Sequence, residues 1–258
     1  TSQSQGLPTG ELPSSPQLLP TEQLGGMHLR VDKEVLCLDN IPLDMSENSV
    51  DDQYINCNPP KVLPRESSGY IPVPTKYKAR WEIAKKHWTE VGKSITDLTP
   101  MQGTAIVAYM LPTDLTRDFN KATREAGISQ ESYSQFAFKD FFFLLTTAVQ
   151  ARKGNCREVF RGVRNVHFNV RKGDRIRFGQ FTSSSSEKGV AETFGTDTVF
   201  SIKTCYRVPI DDISPMTYEK EILIPPYETF VVRSKDNVSP IRLESDGVYS
   251  RFNCERLQ

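Results

Sequence analysis

Hydrophobic positions recur with the period of an α-helix through residues 76–154. Apolar side chains lie three or four residues apart there, so each successive helix carries one apolar face. Gly127 marks a helix end, and the run 105–110 (AIVAYM) predicts a short buried strand between the first two helices. The periodic positions are Trp81, Ile83, Ala84 and Trp88, then Leu115, Phe119, Ala122 and Ala126, then Phe138, Phe141, Phe142, Leu145 and Val149.

After Cys156 the period changes to two, which is typical of strands. Short alternating segments are separated by Gly, Ser, Asp and Pro, the residues that favour turns. Helices first and strands later indicate an α+β fold. The predicted strands cover residues 159–161, 166–170, 175–178, 199–202 and 221–224.

The N-terminal stretch shows neither period. Residues 1–26 are rich in Pro, Ser, Gln and Gly, so they bury too little apolar surface to offset the entropy lost on ordering. We therefore assign residues 1–44 to a Pro/Ser-rich, largely disordered extension. Residues 45–258 form the domain, with a helical half at 76–154 and a strand half at 156–258. Pro at short intervals in 59–75 predicts an irregular connection, and organised structure is expected to start near Lys76.

Composition and charge narrow the class of protein. The chain has 258 residues, of which 37% are hydrophobic, enough for one sizeable core. Lys plus Arg equals Asp plus Glu at 32 each, and no stretch is basic enough to follow a row of phosphates, so we exclude nucleic acid as a partner. The longest apolar run, near 141–149, is far shorter than the roughly 20 residues that cross a bilayer. With no signal-peptide pattern after Thr1, we predict a mature soluble chain or ectodomain without a transmembrane segment.

The cysteines leave the compartment open on their own. They form no C-x-x-C pair and adjoin no histidine, so we predict no metal site. Their wide spacing fits unpaired core thiols of a cytosolic protein or disulfides of an extracellular one. A glycosylation sequon at Asn237 favours the second interpretation, although Pro240 makes it a poor acceptor. The five are Cys37, Cys57, Cys156, Cys205 and Cys254.

Two carboxylates at Glu219 and Glu221 form the first candidate for chemistry. In extended backbone, side chains at i and i+2 share one side about 7 Å apart, so each raises the pKa of the other. Such a pair suits cleavage of a glycosidic bond, which needs negative charge beside an oxocarbenium-like transition state. The alternative is a solvated turn with Lys220 between two acids.

A cluster of hydroxyl groups in 182–186 (TSSSS) is the second candidate. Placed after a strand, it can direct a donor into a cleft, or it can be an ordinary loop. Neither a Gly-x-Ser-x-Gly elbow nor a suitably placed histidine supports a serine hydrolase.

Arg161, followed by Gly162, is the third candidate. At a strand end its guanidinium can bind two oxygens of a phosphate or carboxylate, and the alternative is a structural ion pair. Downstream, a basic strip forms either a local anion site or a polar outer strand face. Rossmann, phosphate-loop and His-Glu-x-x-His motifs are absent from the sequence. The strip comprises Arg164, Arg171, Lys172, Arg175 and Arg177.

In this order, the three candidates resemble the Arg, Ser, Glu-x-Glu signature of the arginine-specific mono-ADP-ribosyltransferases, in particular the vertebrate ecto-enzymes. The resemblance covers about residues 45–258 and is carried by several further blocks in the family order. These are DDQY at 51–54, the Phe-rich helix near 138, RFGQFTSSS at 177–185, KTC at 203–205 and EILIPPYE at 221–228.

The resemblance implies a catalytic domain with helices packed on a mixed two-sheet β core, and NAD as co-substrate. Arg161 would hold a phosphate of NAD, and Gly162 would let the backbone reach the nicotinamide amide. Ser183 would orient the site, Glu221 would be the catalytic carboxylate, and Glu219 would receive the acceptor arginine of a protein. Phe194 would pack against nicotinamide.

The resemblance also implies disulfides Cys57–Cys254 and Cys156–Cys205, which leave Cys37 over, and an extracellular location, secreted or lipid-anchored. The implied function is transfer of ADP-ribose to protein arginine. Two alternatives are an enzyme that mainly hydrolyses NAD and an inactive cell-surface binding module. The presence of Arg161, Ser183, Glu219 and Glu221 argues against the module.

Overall fold

The structure is a computed structural model, and it describes residues 41–57, 69–152, 154–236 and 238–255. The predicted extension as far as residue 40, the odd Cys37 and the sequon residue Asn237 lie outside the described residues.

The helical half contains α1 (Lys78–Val91), α2 (Pro100–Met110), α3 (Asp114–Glu125), α4 (Gln130–Ser134) and α5 (Lys139–Ala151). The three helices that the period predicted form as α1, α3 and α5. In α1, Trp81, Ala84 and Trp88 are buried, whereas Ile83, predicted on the same face, is exposed.

Residues 105–110, predicted as a strand, belong to helix α2, so that prediction is wrong. Thr99 and Gln102 form a capping box, in which the Thr99 hydroxyl accepts from the Gln102 N–H and the Gln102 side chain accepts from the Thr99 N–H. Pro100 fits the first helical position because an N–H there has no acceptor within the helix, so its absence breaks no hydrogen bond. At Gly103 a Cβ would lie 2.2 Å from the Trp88 ring, so glycine lets α2 pack closely on α1.

The described residues form ten strands, nine of them in the strand half. The strands are β1 (Ile41–Pro42), β2 (Arg157–Val163), β3 (Phe168–Asn169), β4 (Arg175–Ile176), β5 (Thr182–Ser185), β6 (Thr198–Thr204), β7 (Val208–Pro209), β8 (Glu221–Ile224), β9 (Glu228–Val232) and β10 (Ile241–Val248). Eight of them make one mixed sheet in the order β4-β9-β10-β6-β2-β5-β8-β7, in which β6 and β10 are parallel. β1 pairs with β3 in a separate two-stranded parallel sheet, and a short helix α6 (Lys188–Thr193) lies between β5 and β6 along the chain.

Two apolar clusters divide the core. The helical cluster is rich in aromatic rings around Phe119 and takes Phe181 and Leu223 from the strand half. The strand cluster contains aliphatic residues of β2, β6, β8, β9 and β10. Neighbouring residues of β8, Leu223 and Ile222, therefore face different clusters, and the sheet between them is buried on both faces.

Organised structure begins well before Lys76, contrary to the sequence prediction. Asp51 is fully buried and accepts hydrogen bonds from the backbone N–H groups of Arg251 and Phe252 and from the guanidinium of Arg177. Asp52 accepts from the N–H of Cys254 at 2.9 Å. These carboxylates hold the 41–57 segment to the C-terminal segment, and this pairing is invisible to local periodicity.

Arg177 is fully buried in that ion pair, so its assignment to a polar outer face is wrong. Arg175 of the same strip pairs with Asp246 at the surface. Both disulfides implied by the resemblance are formed, Cys57–Cys254 and Cys156–Cys205, which confirms that pairing.

Candidate active site

Three adjacent strands carry the signature residues. Arg161 lies on β2, Ser183 on β5 and Glu221 at the start of β8. In the described residues β2 and β5 pair only at Phe160 and Ser185, and Ser185 in turn pairs with Glu221. Phe160, Ser185 and Glu221 thus lie side by side across three strands, and Arg161 follows Phe160. A single residue pair joins β2 to β5 here.

Arg161 lies inside β2 and not at a strand end as predicted. Its side chain is 8% exposed, and its Nη1 donates a hydrogen bond to the Ser183 carbonyl at 2.9 Å. Burial lowers the pKa of Arg161 to about 10, so the guanidinium stays charged at neutral pH. A buried cation in this position is suited to an anionic ligand.

Glu221 is buried at 2% exposure. Burial raises the pKa of Glu221 to about 8; the hydrogen bond from Ser183 opposes this shift, and the charge of Glu219 adds to it. Glu221 Oε2 has no hydrogen-bond partner among the described residues. A buried acceptor of this kind fits a ligand that brings a hydroxyl donor.

Glu219 does not lie in extended backbone, contrary to the i and i+2 geometry predicted. It ends a 3₁₀ turn (Thr217–Glu219), and Lys220 has a left-handed φ of 48° before β8 begins. The turn exposes Tyr218 and Lys220 and buries Glu219 completely. The solvated-turn alternative is therefore wrong, because both carboxylates are inside the protein.

The hydroxyl cluster is a buried strand, so the loop interpretation of 182–186 is wrong for Thr182–Ser185. Ser185 Oγ donates to the Glu219 carbonyl at 2.7 Å, and the Ser186 N–H donates to the Lys220 carbonyl at 3.2 Å. The serines thus fix the turn that carries Glu219. The serine repeat itself could not signal this role, because the contact depends on pairing between β5 and β8.

Gly162 and Phe194 meet at helix α6. A Cβ on Gly162 would lie 2.3 Å from the Ala191 and Gly195 carbonyl oxygens, so α6 packs directly on the β2 backbone. Phe194 is the C-cap residue of α6 and is half-buried. The structure gives Gly162 a packing reason of its own, and it places Phe194 beside the strand that holds Arg161.

Tyr109 of α2 is a site residue that the sequence reasoning missed. It is 3% exposed, its hydroxyl donates to the Phe181 carbonyl at 2.7 Å, and the Asn120 amide donates to that hydroxyl at 3.2 Å. The hydroxyl also interacts with the Ser183 side chain. Burial raises the pKa of Tyr109, and the charges of Arg161 and Glu221 also act on it. Reading the Thr99 capping box would have placed 105–110 on a helix, but not beside Ser183.

Residues 43–250 match the family model described as NAD:arginine ADP-ribosyltransferase. The chain belongs to this family. It is 40% identical over 232 residues to NAD(P)(+)--arginine ADP-ribosyltransferase 2 of Gallus gallus, covering 84% of this chain and 73% of that protein. Identity is 36% over 246 residues to the GPI-linked NAD(P)(+)--arginine ADP-ribosyltransferase 1 of Homo sapiens, with 84% and 75% coverage.

Solved structures of the ADP-ribosyltransferase family share the fold. A variant of the eukaryotic mono-ADP-ribosyltransferase ART2.2 in complex with NADH aligns at a TM-score of 0.69 and 35% identity, over 83% of this chain and 98% of that one. The predicted α+β fold, with helices packed on a two-sheet core, is thereby confirmed. None of the helices in the described part of the chain is long and apolar enough to cross a bilayer. The described residues also contain no group of three or more His, Cys, Asp or Glu side chains that could hold a metal ion.

Proposed function

We propose that this protein transfers ADP-ribose from NAD to arginine side chains of proteins and releases nicotinamide. The observation that carries the proposal is the buried group of Arg161, Ser183 and Glu221 on three adjacent strands, in a chain of the arginine ADP-ribosyltransferase family. NAD is the co-substrate, and its phosphates and ribose hydroxyls match the buried cation and the buried acceptor of this site.

In the proposed reaction, Arg161 binds a phosphate of NAD and Gly162 lets the backbone reach the nicotinamide amide. Phe194 packs against nicotinamide. Ser183 orients Glu221, whose carboxylate accepts from a ribose hydroxyl and stabilises the positive charge that develops on the ribose as nicotinamide leaves. The interaction of the Ser183 side chain with Glu221 supports this assignment, as does Glu221 Oε2, which has no partner among the described residues.

Glu219 binds the acceptor guanidinium in the proposed reaction. An arginine side chain is a cation and a weak nucleophile, so a second carboxylate both attracts it and makes it more reactive. The Thr217–Glu219 turn, fixed by Ser185, supports a separate acceptor position beside Glu221. Water reaching the same ribose carbon gives NAD hydrolysis, which uses Glu221 without Glu219.

We further propose that the protein works outside the cell, secreted or lipid-anchored. Two formed disulfides fit an oxidising compartment, and relatives are named GPI-linked or ecto-enzymes. Mapping of disulfide-linked peptides from native material tests this, because reduced thiols at Cys57 and Cys254 would contradict it.

Labelled NAD with agmatine, a small guanidino acceptor, tests the main proposal. Labelled agmatine and free ADP-ribose are measured in one tube, with Glu221→Gln as control. The proposal predicts labelled agmatine from the native protein and none above background from the variant. Free ADP-ribose alone would indicate an NAD glycohydrolase, and neither product would favour a binding module.

A further inference from the structure

The Tyr109 hydroxyl has its own proton fixed by a backbone acceptor. It donates to the Phe181 carbonyl at 2.7 Å, and the amide of Asn120 on α3 donates to the Tyr109 oxygen at 3.2 Å. Tyr109 is 3% exposed and its ring packs edge-on against Phe119 and Phe181. The hydroxyl therefore has one remaining acceptor position for a neighbour.

Phe181 lies two residues before Ser183, so the Tyr109 bond acts directly on the start of β5. Arg161 donates to the Ser183 carbonyl at 2.9 Å. Two side chains thus hold this part of the β5 backbone. Tyr109 of α2 binds the Phe181 carbonyl, and Arg161 of β2 binds the Ser183 carbonyl. These two buried hydrogen bonds restrain the backbone before and at Ser183, and so limit how far Ser183 can shift relative to Glu221.

The Ser183 side chain interacts with both Glu221 and Tyr109, and its hydroxyl has one proton to give. We therefore expect Ser183 to donate to the carboxylate when Glu221 is ionised. When Glu221 is protonated, we expect the acid to donate to Ser183 and the Ser183 proton to turn to Tyr109. Two charged groups face these three side chains, Arg161 from β2 and Glu219 from the turn before β8. The uncharged Asn120 faces Tyr109 from α3.

We propose that Tyr109 is a positioning residue of the active site, whose hydroxyl fixes Phe181 and the Ser183 hydroxyl and thereby orients Glu221. This rests on the proposed function, since it assigns Tyr109 a part in the same reaction. The helical half then does more than support the sheet, because it supplies the far end of the hydrogen-bonded chain that reaches the catalytic carboxylate.

Tyr109→Phe tests the inference, with Tyr133→Phe as a matched control. Tyr133 is also buried, and its hydroxyl donates to Asp52 at 3.2 Å, in the network of the terminal segments. Both variants keep the ring and remove one buried hydroxyl, so both lower thermal stability. The readouts are kcat and KM for NAD hydrolysis, agmatine transfer and the pH profile of each rate.

We expect kcat of Tyr109→Phe to fall about threefold to tenfold for hydrolysis and transfer alike, with the KM for NAD within about twofold. The acid limb of the profile should move to lower pH by about half a unit, because Ser183 keeps only Glu221 as an acceptor and the ionised form gains. Tyr133→Phe should leave both readouts unchanged. In a Ser183→Ala background, Tyr109→Phe should have little further effect on the limb.

Equal kcat and equal pH profiles for native enzyme and Tyr109→Phe would overturn the inference. A native enzyme with neither activity would overturn the proposed function instead, so the two failures are distinct. Should Tyr109→Phe not fold, Asn120→Ala decides. Loss of that donor leaves the Tyr109 oxygen more open to Ser183, so the limb should move to higher pH, and no movement overturns the inference.

Discussion

Two buried glutamates of the strand half, Glu228 and Glu221, differ in how many hydrogen-bond donors surround their carboxyl groups. Glu228 accepts hydrogen bonds from Thr204, Cys205 and Ser245 at 2.6–2.7 Å. Glu221 is oriented by Ser183 and keeps one oxygen without a partner in the described structure. Burial raises the pKa of both. Donors that surround Glu228 fix the fold, whereas the open oxygen of Glu221 is available to a ligand.

The helical half offers a third case, since its core is apolar and aromatic around Phe119. A packed ring contributes stability without directional demands, while a buried polar group destabilises the fold unless partners satisfy it. Residues that maintain the fold are therefore apolar or fully hydrogen bonded, whereas Glu221, proposed to act on substrate, keeps an oxygen without a partner in the described residues.

The largest expected effect separates the two glutamates. Glu221→Gln should lower both NAD hydrolysis and arginine transfer by about 1,000-fold, because the developing positive charge loses its carboxylate. The melting temperature should not fall, since a neutral amide replaces a carboxyl group whose ionisation burial disfavours. Activity assays and thermal unfolding of the same preparation measure both quantities.

Glu228→Gln is the matched control and should behave in the opposite way. Its amide nitrogen would face donors, so the free energy of unfolding should fall by about 1–3 kcal/mol. The kcat of the folded enzyme should stay within about twofold. Equal losses of activity in Glu221→Gln and Glu228→Gln would contradict the separate roles of a catalytic Glu221 and a structural Glu228.

Truncation of the aromatic core should affect stability alone. Phe119→Ala should lower the free energy of unfolding by about 3–5 kcal/mol, because it leaves a cavity among rings that cannot collapse. Denaturant unfolding measures this loss, with Ile83→Ala on the exposed side of α1 as control. The opposite ranking would mean that the helical core is loosely packed.

The pH dependence should sharpen the contrast further. Glu221 acts as a carboxylate, so kcat/KM for NAD should rise about tenfold per pH unit below its pKa of about 8 and level off above it. Rate profiles from pH 5 to about 9.5 measure this, with inorganic buffers at constant ionic strength. A profile flat across that range would contradict the ionisation assigned to Glu221.

The same shift has a consequence for stability. Between the ordinary pKa of 4.5 and about 8, the folded state holds a proton on Glu221 that the unfolded state has lost. Stability from this group is therefore present at low pH and falls as pH rises through that window. Glu221→Gln cannot titrate, so the melting temperature of the native protein relative to the variant should fall from pH 5 to 8.

The sequence predicted fold class and disulfides better than it predicted local geometry. Helical period located α1, α3 and α5, because their apolar faces repeat along the chain. It failed for α2, where almost every residue is buried and periodicity disappears. Asp51 pairs with Arg177, 126 residues away, and Tyr109 donates to Phe181, 72 residues away, so no local pattern predicts these two contacts. The signature residues were recognisable because their order along the chain carries the family resemblance.

The division of labour between Glu219 and Glu221 is the central claim, and the partition of NAD in Glu219→Gln tests it most directly. Labelled agmatine and free ADP-ribose are counted in one tube for the native protein, Glu219→Gln and Glu221→Gln. We predict that Glu219→Gln loses transfer by about tenfold or more and keeps hydrolysis within about twofold, while Glu221→Gln loses both. Equal loss of transfer and hydrolysis in Glu219→Gln would contradict a separate acceptor site.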